Sequence, residues 1–142
     1  MKKIYLDDVR TPMDSDWVVV RDFTQFCDAV SAIGITNIDV ISLDHDLGPS
    51  AMSEYFNNVA LNYKLDYNNI SELTGYDCAK WLVQYWYDTS TGAHSHFPKV
   101  YTHSANPIGS ANIMGYINNF FMNNGRPQTC VRVQIPHTIK EN

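Results

Sequence analysis

The sequence predicts an α/β protein built on a single doubly wound, parallel, five-stranded sheet, in one domain over residues 1–142. Short apolar segments alternate along the chain with amphipathic ones, as they do when strands are joined by helices. Two of the apolar segments stop abruptly in acidic residues, which is typical of buried parallel strands that end at a ligand site. The length and a hydrophobic content of 44% suit one globular domain.

Five segments are predicted as strands because each is short, apolar and rich in β-branched or aromatic residues. They are Lys3–Leu6, Trp17–Val20, Ile38–Leu43, Lys99–Thr102 and Cys130–Ile135. The third of these is apolar almost throughout, as expected for a strand that is covered on both faces.

Three longer segments carry apolar residues three or four positions apart and are predicted as helices. The first begins after a cap at Thr24, the second opens at Gly75, and the third starts near Ile108. Residues 8–16, between the first two strands, are too few and too polar for a full helix. We therefore expect the first crossover helix to be reduced.

Residues 49–73 interrupt the alternation and are predicted as an insertion or lid after the third strand. The stretch is polar and rich in Asn and Tyr, and it shows no clean period, which is common in functional excursions. Its aromatic residues include Tyr55, Phe56, Tyr63 and Tyr67. Two interpretations stay open: these rings stack on the base of a ligand, or they tie the segment to the core.

Composition and charge exclude several classes of protein. The net charge of −5 disfavours binding to long duplex nucleic acid, which needs a basic surface. No stretch reaches the roughly 18 apolar residues of a membrane span, so no membrane partner is expected. The three cysteines lack a CxxC spacing, which favours buried, reduced thiols in a cytoplasmic protein. A local site for a nucleotide or an RNA end stays open, because a bound metal can supply positive charge.

Polar residues follow three of the predicted strands at the point where each strand ends. They are Asp7 and Asp8, then Asp44, His45 and Asp46, and finally His103, Ser104 and Asn106. In an open parallel sheet the carboxyl ends of neighbouring strands share one edge, and ligands bind there. We therefore expect these side chains to converge on one site.

Acidic groups that crowd at one edge repel each other, so this site needs a positive charge. Oxygen ligands suit the hard cations Mg²⁺, Mn²⁺ and Ca²⁺. We expect Asp7, Asp8 and Asp44 to hold one divalent ion, with Mg²⁺ or Mn²⁺ preferred. The structural alternative is that Arg10 alone supplies the charge.

Two histidines belong to the same predicted edge, His45 between two aspartates and His103 before a serine. A neutral imidazole there ligates a metal or transfers protons near neutral pH. The alternative is that each imidazole only hydrogen-bonds to neighbouring structure.

These motifs resemble those of the receiver domains of response regulators. The resemblance rests on Leu6-Asp7-Asp8, Asp44 closing the third strand, Gly75-Tyr76 and Ser104-Ala105. It implies a receiver or flavodoxin-like fold in which the acidic pair binds Mg²⁺, the aspartate after the third strand accepts a phosphoryl group, and the serine touches the phosphate. Receivers carry a Lys-Pro pair after the fifth strand, where this chain has Ile135-Pro136. Phosphoacceptor signalling at Asp44 is therefore the least favoured function.

The chain resembles more closely the cyclic-phosphate processing receiver domains, a group derived from receivers. The shared motifs are Leu6-Asp7-Asp8-x-Arg10, Pro12, Trp17–Arg21, Ser42–Gly48, Thr74–Asp77 and His103-Ser104-x-Asn106-Pro107-x-Gly109. This resemblance implies action on the cyclic phosphates of nucleotides or RNA ends.

The leading hypothesis is accordingly a metal-dependent phosphoesterase that acts on a cyclic phosphate. In it, His45 or His103 serves as general acid or base, and Asp46 orients an imidazole. The residues expected to bind the phosphate of the ligand are Arg10, Ser104 and Asn106. The alternative is a non-catalytic protein that binds or sequesters a phosphate-bearing nucleotide.

Overall fold

A computed structural model describes residues 1–90, 95–125 and 129–139. The strands are β1 (Lys2–Leu6), β2 (Arg10–Pro12), β3 (Trp17–Val20), β4 (Ile38–Leu43), β5 (Lys99–Thr102), β6 (Val131–Arg132) and β7 (His137–Ile139). Five of them form the predicted parallel sheet, in the order β3-β1-β4-β5-β6. The chain first steps to one side of β1 and then crosses to the other, as in the receiver or flavodoxin-like fold, and open sheets bind ligands at such a reversal.

The helices are α1 (Phe23–Ile33), α2 (Pro49–Glu54), α3 (Ala60–Asn62), α4 (Gly75–Thr89) and α5 (Pro107–Asn123). The three long ones match the predicted helices. The predicted cap at Thr24 is wrong: Asp22 caps α1, because its carboxylate accepts the Gln25 N–H. Within the described part of the chain, no helix combines the length and apolarity needed to cross a membrane.

The three long helices share one apolar core with the sheet. α4 contacts both α1 and α5. Alternate strand residues such as Ile4, Leu6, Ile41 and Leu43 are fully buried in the same cluster as the apolar side chains of these helices. Burial of each such side chain contributes about 1.5–3 kcal/mol, which holds the strand ends in a fixed row.

Between β1 and β3 the chain forms the short strand β2, in agreement with the predicted reduction of the first crossover helix. β2 pairs antiparallel with β7, and no pattern in the sequence predicts this two-stranded ribbon. The predicted strand Cys130–Ile135 is too long, since only Val131–Arg132 is a strand. The chain then turns toward β2, where the Met13 N–H donates to the Pro136 carbonyl at 2.9 Å.

Residues 49–73 fold around one buried carboxylate. α2 continues through a π-helical turn at Tyr55–Val59 into α3. The Glu54 carboxylate accepts from Asn58 Nδ2 at 2.9 Å, from the Asp66 N–H at 2.8 Å and from Asn69 Nδ2 at 3.0 Å. That these residues work as a lid stays a prediction.

Candidate metal and phosphate site

The carboxyl ends of β1, β4 and β5 lie side by side at one edge of the sheet. Leu6 and Leu43, the last residues of β1 and β4, are in register. The ladder continues one step further, because the Asp44 N–H donates to the Leu6 carbonyl at 2.9 Å and the His103 N–H donates to the Leu43 carbonyl at 3.0 Å. Backbone hydrogen bonds therefore fix Asp44 and His103 at this edge.

A close approach by α4 supports the loop that carries Asp44, His45 and Asp46. A Cβ at Gly75 would lie 1.8 Å from the Asp44 carbonyl oxygen, so only glycine fits there. The Gly75 N–H donates to the His45 carbonyl at 2.9 Å. The glycine that opens α4 thus has a structural role in placing the acidic loop.

Asp7, Asp8 and Asp44 form an acidic triad. Each offers a carboxylate oxygen within 4.8 Å of the other two; Asp7 and Asp44 are buried and Asp8 is half-buried. Burial, followed by the negative charge of Asp7, raises the pKa of both Asp44 and Asp8. Raised pKa values in two of three adjacent carboxyl groups indicate that the triad lacks positive charge. The donor set therefore fits a divalent cation with oxygen ligands.

Arg10 supplies part of the missing charge. Its Nε donates to Asp7 Oδ2 at 2.7 Å, and a terminal nitrogen lies 3.3 Å from Asp44 Oδ1. The backbone N–H groups of Val9 and Arg10 donate to Asp7 Oδ1 at 2.9 Å and 2.7 Å. Burial opposes ionisation of Asp7, but the hydrogen bonds from His103 and from these backbone groups outweigh it and lower the pKa of Asp7. A metal ion and Arg10 would thus share the same carboxylates.

His103 is buried, and both its ring nitrogens have partners. Nε2 lies 3.0 Å from Asp7 Oδ2, and Nδ1 lies 2.7 Å from Ser42 Oγ. The ring stacks on Tyr5 with 4.2 Å between centroids. Burial lowers the pKa of His103, although the hydrogen bond to Asp7 opposes this change. The imidazole therefore orients the Asp7 carboxylate, and its predicted part in proton transfer stays a prediction.

His45 is equally buried and lies between Asp46 and the 49–73 segment. Its Nδ1 is 2.6 Å from Asp46 Oδ1, and its Nε2 is 2.9 Å from the Tyr67 hydroxyl. The ring packs on the backbone of Gly109 in α5, where a Cβ would come within 2.3 Å of it. Both ring nitrogens are again engaged, and the predicted acid–base role of His45 stays a prediction.

Asn106 links the loop after β4 to the start of α5. Its Nδ2 donates to Asp46 Oδ1 at 3.2 Å, and its Oδ1 accepts the Gly109 N–H at 2.9 Å. Ser104 Oγ accepts the Asn106 N–H at 3.1 Å. The segment from Ser104 to Gly109 therefore caps α5 and ties it to the acidic loop.

A cleft of about 310 Å³ opens at this edge of the sheet. The predicted site residues that line it are Asp8, Arg10, Asp44, Asp46 and Ser104. The remaining predicted site residues, Asp7, His45, His103 and Asn106, are buried in the surrounding protein. The volume lies at the low end of the range for small-molecule sites.

Other walls of the cleft come from residues outside the predicted site set. Met52 and Tyr55 belong to the 49–73 segment, and His137 and Ile139 belong to β7. Tyr55 belongs to the aromatic group for which contact with a ligand was one of two open interpretations, so the sequence contained a signal for it. β7 left no such signal, because a strand of three residues shows no period.

A family model described as the cyclic-phosphate processing receiver domain matches residues 2–119. The matched region runs from β1 into α5 and includes every predicted site residue, and it ends before β6 and β7. No curated protein and no solved structure matches the chain.

Proposed function

Since the chain belongs to the cyclic-phosphate processing receiver domain family, we propose that it is a metal-dependent phosphoesterase that opens a cyclic phosphate on a nucleotide or an RNA end. The observation that carries the proposal is the acidic triad beside a cleft of about 310 Å³. An anionic phosphodiester binds beside carboxylates only when a cation lies between them. A cleft of this size suits a ligand as small as one nucleotide or one chain end.

In this proposal Asp7, Asp8 and Asp44 hold Mg²⁺ or Mn²⁺. When bound, such an ion polarises a phosphoryl oxygen and makes a coordinated water more acidic. Asp7 is already oriented for this role, because His103 and the backbone of Val9 and Arg10 hold both its oxygens. Arg10 Nε also donates to Asp7 Oδ2, so a bound ion would replace this contact.

The cleft offers further groups to the phosphate and to the proton that hydrolysis releases. Arg10 and Ser104 line it and present a guanidinium and a hydroxyl to phosphate oxygens. Asn106 holds Ser104 and Asp46 in place. Asp46 is the first acceptor for the proton of the attacking water, because Asp46 lines the cleft whereas His45 is fully buried. His45 Nδ1 lies 2.6 Å from Asp46 Oδ1. In this arrangement His45 acts through Asp46.

Incubation with cyclic phosphates tests the proposal. The purified protein is mixed with MgCl₂ or MnCl₂ and with a panel of 2′,3′- and 3′,5′-cyclic nucleotides and RNA that ends in a 2′,3′-cyclic phosphate. We expect at least one probe to become a phosphomonoester, detected by chromatography and mass spectrometry, and we expect EDTA or Asp44→Asn to abolish the conversion. Asp28→Asn, which changes an exposed acid on α1, should behave as the wild type. Intact recovery of every probe would show that the enzyme proposal is wrong.

A non-catalytic binder is the second candidate, and one observation favours it. Arg10 already pairs with two of the three carboxylates, and the ring nitrogens of His45 and His103 are all engaged. Such a site can bind a phosphate-bearing nucleotide without transferring protons. Calorimetry with the same panel separates the candidates, because binding with full recovery of unaltered ligand identifies a binder.

We also propose that the protein works in the cytoplasm. Its three cysteines are unpaired, and burial raises the pKa of Cys27 to about 11 and that of Cys130 to about 12. Unpaired thiols of low reactivity suit a reducing compartment. Rapid acid lysis followed by alkylation in denaturant and mass spectrometry should recover all three as thiols, and a disulfide would contradict this location.

A further inference from the structure

The strand β7 closes one side of the cleft, although it lies outside the residues that the family model matches. Its register against β2 places Ile139 opposite Arg10, Thr138 opposite Thr11 and His137 opposite Pro12. Backbone pairing therefore holds β7 against the strand that carries the cation of the site.

Residues directly opposite each other in an antiparallel pair have side chains on the same face, and alternate residues along a strand share a face. Arg10, His137 and Ile139 accordingly belong to one face of the ribbon, and all three line the cleft. Thr138 belongs to the opposite face. The pairing that presents Arg10 to the cleft thus presents His137 to it as well.

His137 differs from the two buried histidines because only one of its ring nitrogens has a partner. Its Nδ1 lies 3.1 Å from the Ile135 carbonyl oxygen. A carbonyl accepts and never donates, so Nδ1 carries a hydrogen. Nε2 has no hydrogen-bond partner within residues 1–90, 95–125 and 129–139, whereas both ring nitrogens of His45 and His103 are engaged. Nε2 is therefore the ring nitrogen that the hydrogen bonding leaves open to a ligand in the cleft.

We infer that Nε2 of His137 is the general acid of the proposed hydrolysis, an inference that rests on the proposed function. The oxygen of a water forms a bond to phosphorus while the bond from phosphorus to one ester oxygen of the ring breaks. That ester oxygen takes the proton from Nε2 and leaves as a hydroxyl group, and the proton lost by the water passes to solvent. Exchange with solvent, which reaches the half-buried His137, restores the proton on Nε2. The Ile135 carbonyl accepts from Nδ1 in both protonation states, so the ring keeps its orientation.

The replacement His137→Gln tests this role with two substrates in MgCl₂. The cyclic nucleotide that the wild type converts fastest has an alkoxide leaving group, which needs a proton. Bis(p-nitrophenyl) phosphate releases a phenolate, which needs none. We expect kcat for the cyclic nucleotide to fall about 10²–10⁴-fold, with KM close to that of the wild type, and kcat for the aryl ester to fall far less.

Thr138→Gln is the matched control, because it changes the same strand on the face away from the cleft, and it should leave both rates unchanged. Thermal unfolding checks that each variant folds, and His137→Asn replaces the Gln variant if that one unfolds. An unchanged kcat, or an equal loss with both substrates, would overturn the inference and leave the proposed function standing. A wild type that converts no cyclic nucleotide would instead end the proposed function, and this inference with it.

Discussion

At the scale of single residues, the charge balance of the site depends on Arg10. Three carboxylates lie within 4.8 Å of one another, and one guanidinium reaches two of them, at 2.7 Å and 3.3 Å. Asp8 has no ion pair among the residues that the structure describes, and burial and the charge of Asp7 raise its pKa. Arg10 thus neutralises the site only in part, and a divalent ion would supply the remaining positive charge.

The replacement Arg10→Gln should separate these two sources of charge. In EDTA we expect the free energy of unfolding to fall by about 3–5 kcal/mol, because a buried partner of Asp7 is lost. Addition of MgCl₂ should then raise the Tm of the variant more than that of the wild type, since the ion no longer competes with a guanidinium for the carboxylates. Differential scanning calorimetry measures both effects.

Arg132→Gln is the matched control for this experiment. Its guanidinium donates to the Ser104 carbonyl at 2.8 Å and makes no ion pair with the described carboxylates. It should show the wild-type response to MgCl₂. A Mg²⁺ shift no larger in Arg10→Gln than in the wild type would show that ion and arginine do not share ligands.

The acids of the site were predictable from sequence, whereas the surroundings of the histidines were not. Asp7 and Asp44 directly follow apolar strands, so their position at the sheet edge follows from local pattern. The partners that engage His103 and His45 include Ser42 and Tyr67, which lie 61 and 22 positions away along the chain. Contacts of that separation arise from tertiary packing, and no local period records them.

At the scale of elements, helix α5 connects the site to the core through its first turns. Asn106 caps it, and Gly109 lies against the His45 ring. Further along the same helix, a Cβ at Gly115 would meet nothing within 4 Å. The two glycines of α5 therefore differ in their surroundings. The contact with His45 requires glycine at position 109, whereas position 115 has space for a side chain.

Alanine at these two glycines should change stability in opposite directions. Gly109→Ala should lower the free energy of unfolding by about 1–3 kcal/mol, because the new methyl group overlaps the imidazole of His45. Gly115→Ala should raise it by about 0.5–1 kcal/mol, because alanine loses less backbone entropy in a helix. Urea denaturation followed by circular dichroism measures both. A stabilising Gly109→Ala would contradict the described packing of His45.

Elements with a clear period were predictable, and those without one were not. The parallel strands and the helices α1, α4 and α5 follow from apolar spacing. β2 and β7 consist of three residues each and come from opposite ends of the chain, so neither period nor proximity reveals them. The cap of α1 is Asp22 and not the predicted Thr24. Both residue types are good caps, so the residue type alone does not show which one caps the helix, and the backbone conformation decides it.

At the scale of the whole molecule, Tyr67 joins the 49–73 segment to the body through hydrogen bonds and through a stack on the Tyr76 ring of α4. The Tyr67 hydroxyl lies 2.9 Å from His45 Nε2 and accepts from Asn112 Nδ2 of α5 at 3.0 Å. Its own fold depends on Glu54, which accepts three hydrogen bonds. We expect this segment and the sheet to unfold together. A substitution at Glu54 should therefore change the free energy of unfolding of the whole protein.

The stability of the protein should therefore depend on pH through Glu54. The hydrogen bond from the Asp66 N–H, followed by that from Asn58, lowers the pKa of Glu54 below its ordinary value of 4.5, while burial opposes the change. Because the pKa of Glu54 is lower in the folded state than in the unfolded state, the carboxylate stabilises the fold fully at any pH above its unfolded-state pKa. This stabilisation is lost as the pH falls through the folded-state pKa. Glu54→Gln should accordingly lower the free energy of unfolding by about 1–3 kcal/mol at pH 7, because the hydrogen bonds to a charged carboxylate are lost. This difference from the wild type should shrink between pH 5 and pH 3, because the wild-type carboxylate becomes protonated over that range.

Urea titrations at both pH values measure the difference, with Asp28→Asn as the control. The transitions followed by tryptophan fluorescence and by far-ultraviolet circular dichroism should coincide, as one cooperative unit requires. A difference that is as large at pH 3 as at pH 7 would show that the Glu54 charge does not hold the segment, and separate transitions would show that the segment unfolds apart from the sheet.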